Sequence, residues 1–357
     1  MKICLMTGAR PNFVKVAPLI RSIQNAQQEG RDIDYTLVYA GAESDPTIED
    51  SLFSDLEMPQ PDVYLGVKSA NVNEITSEVM CTFDTYLSEH HTDVVIVVDD
   101  LASTMAAAIV TKKHGIRLAH LVAGTRSFDI NMPKEINRLV IDGLSDLLFT
   151  AGSGTGTTAE QSKIYVVGNI LMDTLRYNLP RFRRPEVLAT QNAADGEYAV
   201  LTINRRALLA DEEKLRDMLK AMSSELAGKP IITPLRGQVR KVVEYLSEGL
   251  SNIVIVEPLS YLEFGYLTSH AFCVITDSGN VAEEATFNGI PCITLNDYTE
   301  HIETVKQGTN VLVNEDATLL AETLRDFISS SQKNYSIPER WDGRTADRIL
   351  QILVVNN

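Results

Sequence analysis

The chain has 357 residues, of which 44% are hydrophobic and 22% charged, which is ordinary for a globular protein and long enough for two domains. Its formal net charge of −16 argues against nucleic acid or an anionic membrane surface as the main partner. No apolar run approaches the ~20 residues of a membrane span, and the amino terminus breaks at Gly8, too early for a signal peptide. We therefore expect a cytoplasmic protein with no nucleic-acid partner and no membrane span.

Strand-like and helix-like runs alternate in the first half of the chain, a pattern typical of parallel sheets covered by helices. The predicted strands are residues 2–7, 35–40, 94–98, 117–122, 147–150 and 164–167, and the predicted helices are 14–27, 73–89, 102–113 and 135–144. This order predicts a Rossmann-like domain over residues 1–170.

A polar stretch at 179–197 holds two prolines and three arginines, which suits a surface connector between domains. The alternation then resumes, with predicted strands at 198–203, 230–233, 253–256, 273–276 and 291–295 and predicted helices at 211–226, 238–248, 261–269, 317–330 and 344–354. We expect an α/β fold with two doubly wound Rossmann-like domains, 1–170 and 171–341, facing a cleft. The helix in 342–357 is expected to pack back on the first domain.

Two pairs of basic residues follow predicted strands. Arg10 and Lys15 come after the first strand, and Arg205 and Arg206 follow the first strand of the second half. Because ligands bind at the carboxyl ends of parallel strands, these side chains are candidates for binding one anion. A diphosphate fits them better than a carboxylate does. The alternative is an exposed turn with ordinary surface charges.

The stretch from Cys273 to Leu295 predicts a strand, a tight polar turn, a helix and a second strand. Ser278 and the unpaired amides that open this helix form an anion cradle. One turn later a glutamate carboxylate can accept hydrogen bonds from two hydroxyl groups of a sugar ring. The alternative is an N-capped helix carrying two solvated glutamates, Glu283 and Glu284.

Asp99 and Asp100 end a buried apolar strand and are the first candidates for acid–base chemistry. Adjacent carboxylates in partly apolar surroundings raise the pKa of one of them toward the range useful for proton transfer. The alternative is that one of them caps the helix starting at Leu101. The sequence shows no metal-like spacing beside them, so we expect neither a metal nor a cofactor.

The polar segment at 120–138 lies between a strand and a helix and predicts a loop that lines the ligand site. It contains Gly124, Arg126, Pro133, Glu135, Asn137 and Arg138. The single histidines His114, His270 and His301 are expected to be structural or solvated rather than catalytic.

Together these motifs resemble the non-hydrolysing UDP-N-acetylglucosamine 2-epimerases, whose two domains form the glycosyltransferase-B fold. The similar stretches run in the family order: GARPNFVKVAPL at 8–19, the strand with Asp100, HLVAGTR at 120–126, PKEINR and SDLLF within 133–149, VGN at 167–169, INRR at 203–206 and TDSGNVAEEA at 276–285. The resemblance covers nearly the whole chain. It implies epimerisation at C2 by elimination and re-addition of UDP, usually in a homodimer.

The candidate site residues follow from these patterns and from the resemblance. The catalytic candidates are Asp100, Glu135 and Lys134, and the sugar-binding candidates are Arg126, Asn137 and Arg138. UDP binding is assigned to Arg10, Lys15, Arg205, Arg206, Ser278, Gly279, Asn280 and Glu284. The resemblance implies that Glu284 binds the ribose and that Ser278 and Gly279 bind the phosphates.

Three positions depart from the family pattern. Val122 replaces the glutamate of HxEAGxR, Lys134 replaces a glutamate of PEExNR, and Asn204 replaces the histidine of GHRRE. Valine cannot exchange a proton, and asparagine cannot bridge a phosphate as a charged histidine does. Removing one member of a catalytic unit commonly costs orders of magnitude in rate.

Three functions therefore stay open. The chain is a divergent epimerase using Asp100, Glu135 and Lys134, a UDP-sugar-dependent glycosyltransferase, or a UDP-sugar-binding protein without catalysis. For a glycosyltransferase, Val122 would be harmless, because the transfer needs no deprotonation at C2. An epimerase exchanges the C2 hydrogen with solvent, a transferase needs an acceptor, and a binding protein does neither.

Overall fold

The computed structural model describes residues 1–49, 51–152, 160, 163–329 and 334–355, which form two compact units. Unit 1 comprises Met1–Tyr177 and Glu339–Asn357, and unit 2 comprises Asn178–Pro338. Position 330 of one predicted helix and positions 356–357 of another segment lie outside the described residues. None of the helices within the described ranges combines the length and apolar composition that crossing a membrane requires.

Within the described residues, unit 1 is built on a seven-stranded parallel sheet in the order β3-β2-β1-β4-β5-β6-β7. Its strands are β1 (Lys2–Thr7), β2 (Asp34–Gly41), β3 (Val63–Val67), β4 (Val94–Val98), β5 (Arg117–Leu121), β6 (Leu147–Thr150) and β7 (Ile164–Val166). Its helices include α1 (Arg10–Gln28), α2 (Ser51–Asp55), α3 (Val72–Glu89), α4 (Ala102–Lys113), α5 (Pro133–Leu144) and α6 (Ile170–Asn178).

The centre of this sheet follows directly from the sequence. Strand β4 reads VVIVV, and all five residues are buried, as expected for a parallel strand covered on both faces. Helix α3 buries Val79, Phe83 and Leu87, which are four residues apart and therefore share one face. Its amino terminus is capped by Asn71, whose side chain accepts hydrogen bonds from two backbone amides of the first turn.

Unit 2 has a six-stranded parallel sheet, again among the described residues, in the order β10-β9-β8-β11-β12-β13. Its strands are β8 (Ala199–Thr202), β9 (Ile231–Pro234), β10 (Ile253–Val256), β11 (Cys273–Thr276), β12 (Cys292–Thr294) and β13 (Asn310–Leu312). Its helices are α7 (Glu186–Thr190), α8 (Arg206–Ala210), α9 (Glu212–Glu225), α10 (Gly237–Leu246), α11 (Tyr261–Ser269), α12 (Gly279–Asn288), α13 (Ile302–Lys306) and α14 (Ala317–Ser329). The predicted α/β class, with two doubly wound sheets, is confirmed.

The chain returns to unit 1 as α15 (Thr345–Val355). Ser22 on α1 donates a hydrogen bond of 2.9 Å to Asp347, near the amino terminus of α15. Buried apolar residues of α15, among them Ile349 and Leu353, complete its contact face. The last described helix therefore belongs to the first unit.

Two details of the predicted domain layout were wrong. The first unit ends at Tyr177 rather than at 170, because α6 packs on it: the Thr174 hydroxyl donates to the backbone carbonyl of Val14 at 2.6 Å. The stretch at 179–197 is not a surface connector. It contains α7, and the fully buried Leu188 and the buried Ala193 belong to the core of unit 2. A short amphipathic helix explains the mixed composition of this stretch.

The strand order locates one ligand-binding edge in each unit. It changes direction between β1 and β4 in unit 1, and between β8 and β11 in unit 2. At such switch points the connecting segments leave on opposite faces of the sheet, and a crevice opens beyond the carboxyl ends of the strands. Functional residues are therefore expected in the segments after β1, β4 and β5 in unit 1 and after β8 and β11 in unit 2.

Candidate functional site

The unit 1 edge begins with a contact between the loops that follow β1 and β4. Lys15 Nζ lies 2.6 Å from Asp99 Oδ1, and Asn12 Nδ2 donates to Asp99 Oδ2 at 2.7 Å. The Asn12 side chain also accepts hydrogen bonds from the amides of Gly8 and Ala9, so it fixes the turn that opens α1. Asp99 is thus a half-buried partner of α1, and sequence reasoning did not foresee the role of Asn12.

Gly8 is required here because two segments approach closely. A Cβ atom at Gly8 would lie 2.1 Å from Ser103 Oγ and 3.1 Å from Leu101 Cδ1, well inside van der Waals contact. The glycine therefore lets the first turn of α4 lie directly against the end of β1.

Asp100 lies in a cluster of positive charge formed mainly by α5. Arg138 Nε and Nη2 lie 2.7 and 2.5 Å from Asp100 Oδ2, and Lys134 Nζ lies 3.5 Å from Oδ1. Asn137 donates to the Asp100 backbone carbonyl at 2.8 Å. The Arg138 side chain is 3% exposed, whereas that of Lys134 is 59% exposed. Of these two cations, Lys134 is therefore the one that solvent and ligands reach.

Two expectations for the aspartate pair were wrong. Burial alone would raise the pKa of the Asp100 carboxyl, but the charges of Lys134 and Arg138 outweigh burial and lower that pKa below its ordinary value. Neither aspartate caps α4: the N-cap residue is Leu101, and the Asp99 and Asp100 carboxylates bond to side chains of α1 and α5. Asp100 is consequently an ionised acceptor at neutral pH.

Glu135 is buried and serves as an acceptor for the loop after β5. Its Oε2 accepts from the Ser127 amide at 2.8 Å and from the Ser127 hydroxyl at 2.9 Å, and lies 3.3 Å from Arg138 Nη1. Burial tends to raise the pKa of Glu135, but the two Ser127 bonds and Arg138 lower it below its ordinary value. All three donors favour the ionised form of Glu135. Its two hydrogen bonds from Ser127 hold the loop after β5 in place.

Sequence reasoning missed a buried pair beneath this loop. His120 Nδ1 lies 2.6 Å from Asp142 Oδ1, and both side chains are 2% exposed. Asp142 also accepts from Arg126 Nη2 at 2.6 Å and from the Gly124 amide at 3.2 Å. Burial raises the pKa of Asp142, but the His120 hydrogen bond and charge, with Arg126, lower it overall. Two signals could have found the pair: a histidine inside an apolar strand, and an aspartate on the buried face of α5.

His120 connects this pair to the aspartate loop, because its Nε2 donates to the Asp99 backbone carbonyl at 2.9 Å. Arg126, predicted to bind a sugar, lies between two buried carboxylates, with Nε 3.7 Å from Glu135 Oε1 in addition to its bond to Asp142. The segments after β4 and β5 are therefore held by one continuous network of charged groups.

Three non-glycine residues at this edge adopt left-handed backbone conformations: Asp99 (φ 59°), Val122 (φ 70°) and Phe128 (φ 61°). For a β-branched residue such as Val122 this is a true outlier, and such strain costs about 1–3 kcal/mol. The residues after Val122 are held by backbone contacts, since the Ala123 amide donates to the Phe149 carbonyl at 3.0 Å. The loop therefore has a fixed shape, although its family glutamate is absent.

The unit 2 edge is formed by the loops after β8 and β11. Asp277 Oδ2 accepts hydrogen bonds of 2.7 Å from the amides of both Asn204 and Arg205, which joins the two loops. Burial raises the pKa of Asp277 above its ordinary value, although these amide bonds act in the opposite direction. Asn204, at the position of the family histidine, is exposed and takes part in this contact through its backbone.

Helix α12 opens directly after this junction. Its N-cap residue is Ser278, whose side chain makes no capping hydrogen bond to the helix, and Gly279 and Asn280 form its first turn. The unpaired amides of that turn, with the helix dipole, favour a negative charge. Glu284 is buried one turn further on.

The basic residues predicted to bind UDP have different surroundings. Arg10 Nε lies 2.6 Å from Glu49 Oε2 in unit 1. In unit 2, Arg205 lies over the Tyr298 ring at 5.2 Å and pairs with Glu315 at 3.5 Å. Arg206 is exposed at the start of α8. Across the described ranges, no group of three or more His, Cys, Asp or Glu side chains is arranged to hold a metal ion.

Sequence and structure comparisons identify relatives along the whole chain. The sequence model of the family described as UDP-N-acetylglucosamine 2-epimerase matches residues 25–354. The UDP-N-acetylglucosamine 2-epimerase of Methanocaldococcus jannaschii is 32% identical, over 99% of each chain. The UDP-2,3-diacetamido-2,3-dideoxy-D-glucuronate 2-epimerase of Pseudomonas aeruginosa is 31% identical, over 93% of each chain.

Solved structures agree with these relatives. The crystal structure of the M. jannaschii enzyme in complex with UDP-GlcNAc and UDP superimposes with a TM-score of 0.85 at 31% identity, covering 99% of this chain and 100% of that one. The Neisseria meningitidis UDP-GlcNAc 2-epimerase bound to UDP-GlcNAc gives a TM-score of 0.86 at 25% identity, with both chains fully covered. The chain belongs to the UDP-N-acetylglucosamine 2-epimerase family.

Proposed function

We propose that this protein interconverts a UDP-N-acetylhexosamine and its C2 epimer by eliminating UDP and adding it back. The observation that carries this proposal is the state of Asp100: an ionised carboxylate at the carboxyl end of β4, with Arg138 and Lys134 beside it. Two relatives support the substrate class, because the M. jannaschii and N. meningitidis epimerases were solved with UDP-GlcNAc bound.

In this mechanism Asp100 accepts the C2 proton. Asp100 is ionised at neutral pH and can accept a proton, although its lowered pKa makes it a weaker base than an ordinary aspartate; the nearby cations stabilise the negative charge that develops on the substrate. Lys134 is exposed and 3.5 Å from Asp100, so it is suited to exchange a proton with the sugar or with solvent. In this proposal the Asp100–Lys134 pair exchanges the C2 proton in place of the two family glutamates that Val122 and Lys134 replace.

Glu135, Arg126 and Arg138 have positioning roles in this proposal. Each is already paired within unit 1: Glu135 with Ser127, Arg126 with Asp142, and Arg138 with Asp100. Their contribution is to fix the carboxylate that reacts and the loop beside it, rather than to exchange protons or to hold a sugar hydroxyl. Asn137 acts in the same way, through the Asp100 carbonyl.

The UDP part of the substrate is proposed to bind at the unit 2 edge. The amides of Gly279 and Asn280 and the Ser278 hydroxyl suit the diphosphate, and Glu284 suits the ribose hydroxyls. Arg205 and Arg206 lie on the neighbouring loop after β8 and add positive charge at the same edge. Arg10 and Lys15, also predicted to bind UDP, are each paired with a carboxylate within unit 1.

The test is to incubate the protein with UDP-N-acetylglucosamine in heavy water and to follow the C2 proton by NMR. An epimerase loses the C2 proton signal and forms the manno epimer. A protein that binds UDP by calorimetry but exchanges no C2 proton is not an epimerase of this substrate, and the glycosyltransferase or binding function would replace the proposal.

Two further properties rest on the sequence and on the family resemblance. We propose that the protein is a homodimer and that it acts in the cytoplasm. Light scattering at several protein concentrations tests the first, with a mass of about twice 39.5 kDa expected. Fractionation of cells with an antibody to the protein tests the second, and recovery in a membrane or extracellular fraction would contradict it.

A further inference from the structure

Glu283 on α12 and His301, just before α13, are arranged like an acid–base pair. His301 Nδ1 lies 2.8 Å from Glu283 Oε1, and the Glu283 side chain is 7% exposed. A carboxylate that binds one ring nitrogen fixes the orientation of the imidazole and stabilises its protonated form. The hydrogen bond to Glu283 therefore also fixes the direction in which His301 Nε2 points.

The Nε2 edge of the ring lies against the amino terminus of α12. A Cβ atom on Gly279, the first residue of the helix, would lie 2.7 Å from His301 Nε2 and 2.5 Å from Cδ2. Any side chain at position 279 would push the ring away, so a glycine is needed for this contact. His301 Nε2 is therefore at the same helix terminus that is proposed to bind the diphosphate.

The backbone of His301 is also fixed. Its amide donates to the Thr299 hydroxyl at 3.1 Å, and its carbonyl accepts from the Thr304 hydroxyl at 2.7 Å. His301 is the N-cap residue of α13, so the ring is held both by its side-chain partner and by the start of a helix. The sequence left open a structural or a solvated histidine, and these supports argue against the solvated one.

We propose that His301, oriented by Glu283, is the acid that protonates the departing UDP, a role that Asn204 cannot fill. The inference rests on the proposed function. In the elimination, the base takes the C2 proton and the C2–H electron pair forms the C1=C2 double bond. The bond between C1 and the phosphate oxygen breaks, and its electron pair stays on that oxygen, which takes the proton from Nε2. In the re-addition, the phosphate oxygen bonds to C1 and returns its proton to His301, while the C1=C2 electron pair takes a proton at C2 from the Asp100–Lys134 pair.

The two groups have different roles. His301 touches the leaving phosphate and is a catalytic residue in this scheme. Glu283 acts through His301 and is a positioning residue. A histidine that only anchored the diphosphate would contribute to substrate and transition-state binding equally, and would affect KM without changing kcat.

The experiment compares wild type with His301→Ala, Glu283→Gln and the control His270→Gln. His270 is in the same unit but stacks on Tyr266, with ring centroids 4.1 Å apart. For His301→Ala we expect kcat for C2 exchange to fall by about 10²–10⁴-fold, the range for loss of a general acid, with the Kd for UDP changed by no more than about threefold. Adding imidazole should restore at least about tenfold of the lost rate, because a small acid can enter the vacated space. Glu283→Gln should lower kcat less, and His270→Gln should behave as wild type.

Two results would overturn the proposal. One is a rise in KM and in the Kd for UDP with kcat unchanged, which makes His301 a phosphate anchor. The other is a fall in kcat that imidazole does not restore, which makes its role structural.

A failure of the proposed function is recognised separately, since wild type would then exchange no C2 proton. In that case the His301 ring signals are followed by NMR during titration with UDP and with uridine. A shift with UDP alone supports the diphosphate contact, and no shift with either ligand overturns it.

Discussion

Replacing Asp142 by asparagine tests whether the buried His120–Asp142 pair holds the unit 1 edge together. Three donors converge on this carboxylate: His120 Nδ1 and Arg126 Nη2, each at 2.6 Å, and the Gly124 amide at 3.2 Å. Asparagine has the same shape but no charge, and its amide nitrogen must face one of these donors. The substitution therefore removes charge compensation and, unless His120 Nδ1 gives up its proton and accepts from the new amide, creates a donor–donor contact.

The size of the effect follows from burial. Both members of the pair are 2% exposed, and removing one partner of such a pair costs about 3–5 kcal/mol. For a domain of this size, each kcal/mol lowers the melting temperature by about 2–4 °C. We therefore expect the transition of unit 1 to move down by about 6–20 °C.

Asp84→Asn is the matched control. Asp84 Oδ1 lies 2.7 Å from His114 Nε2, so this is also an aspartate–histidine pair at a distance within 0.1 Å of the buried one, but the Asp84 side chain is 63% exposed. Exposed pairs contribute about 0.2–1 kcal/mol, which corresponds to a decrease of at most about 4 °C. Scanning calorimetry of the two variants and wild type at pH 7 gives the comparison. If Asp142→Asn lowers the melting temperature no more than Asp84→Asn does, burial does not set the strength of this pair and the reasoning is wrong.

Three other perturbations have defined outcomes. Asp100→Asn removes the proposed base, so turnover should fall by about 10²–10⁴-fold while the Kd for UDP by calorimetry stays within a few-fold, and surviving turnover would contradict the assignment. The pKa values of Asp100, Glu135 and Asp142 are lowered, so these carboxylates stabilise the folded state above the ordinary carboxyl pKa of about 4. Urea midpoints should therefore decrease as the pH falls through and below 4, and midpoints independent of pH there would refute this. Gly8→Ala should lower the free energy of unfolding in urea by about 1–3 kcal/mol, because the new Cβ atom meets Ser103. The double variant with Ser103→Gly should recover part of that loss, whereas no loss in the single variant would show that α4 shifts freely.

The sequence was sufficient for the central strands of both sheets, whereas the edge strands β3 and β13 were not predicted. Apolar β-branched strands alternate with amphipathic helices, and this local pattern determines the doubly wound class and which loops meet at the carboxyl edge. Asp100 and Ser278 were predicted at those edges because each directly follows a buried strand. Placing these two residues at the sheet edges requires no knowledge of their contacts with distant residues.

The ionisation of the site could not be predicted in the same way. Whether Asp100 has a raised or a lowered pKa depends on Arg138, which is 38 positions later and reaches it only because α5 turns that face inward. The His120–Asp142 and Glu283–His301 pairs likewise join side chains from different elements, at distances that no spacing rule gives. The stretch at 179–197 was misjudged because a short helix that buries only Leu188 has almost no periodic signal.

The central claim is that UDP leaves C1 and returns, and positional isotope exchange measures this directly. UDP-N-acetylglucosamine is prepared with ¹⁸O in the bond between C1 and the β-phosphate and incubated with wild type, Asp100→Asn and His301→Ala. We predict that wild type moves ¹⁸O into the non-bridging phosphate positions, because the phosphate of the released UDP rotates before re-addition, and that both variants do so far more slowly. If wild type releases or transfers the sugar, or binds it, with the label still in the bridge, UDP does not return to C1 and the proposed epimerisation is contradicted.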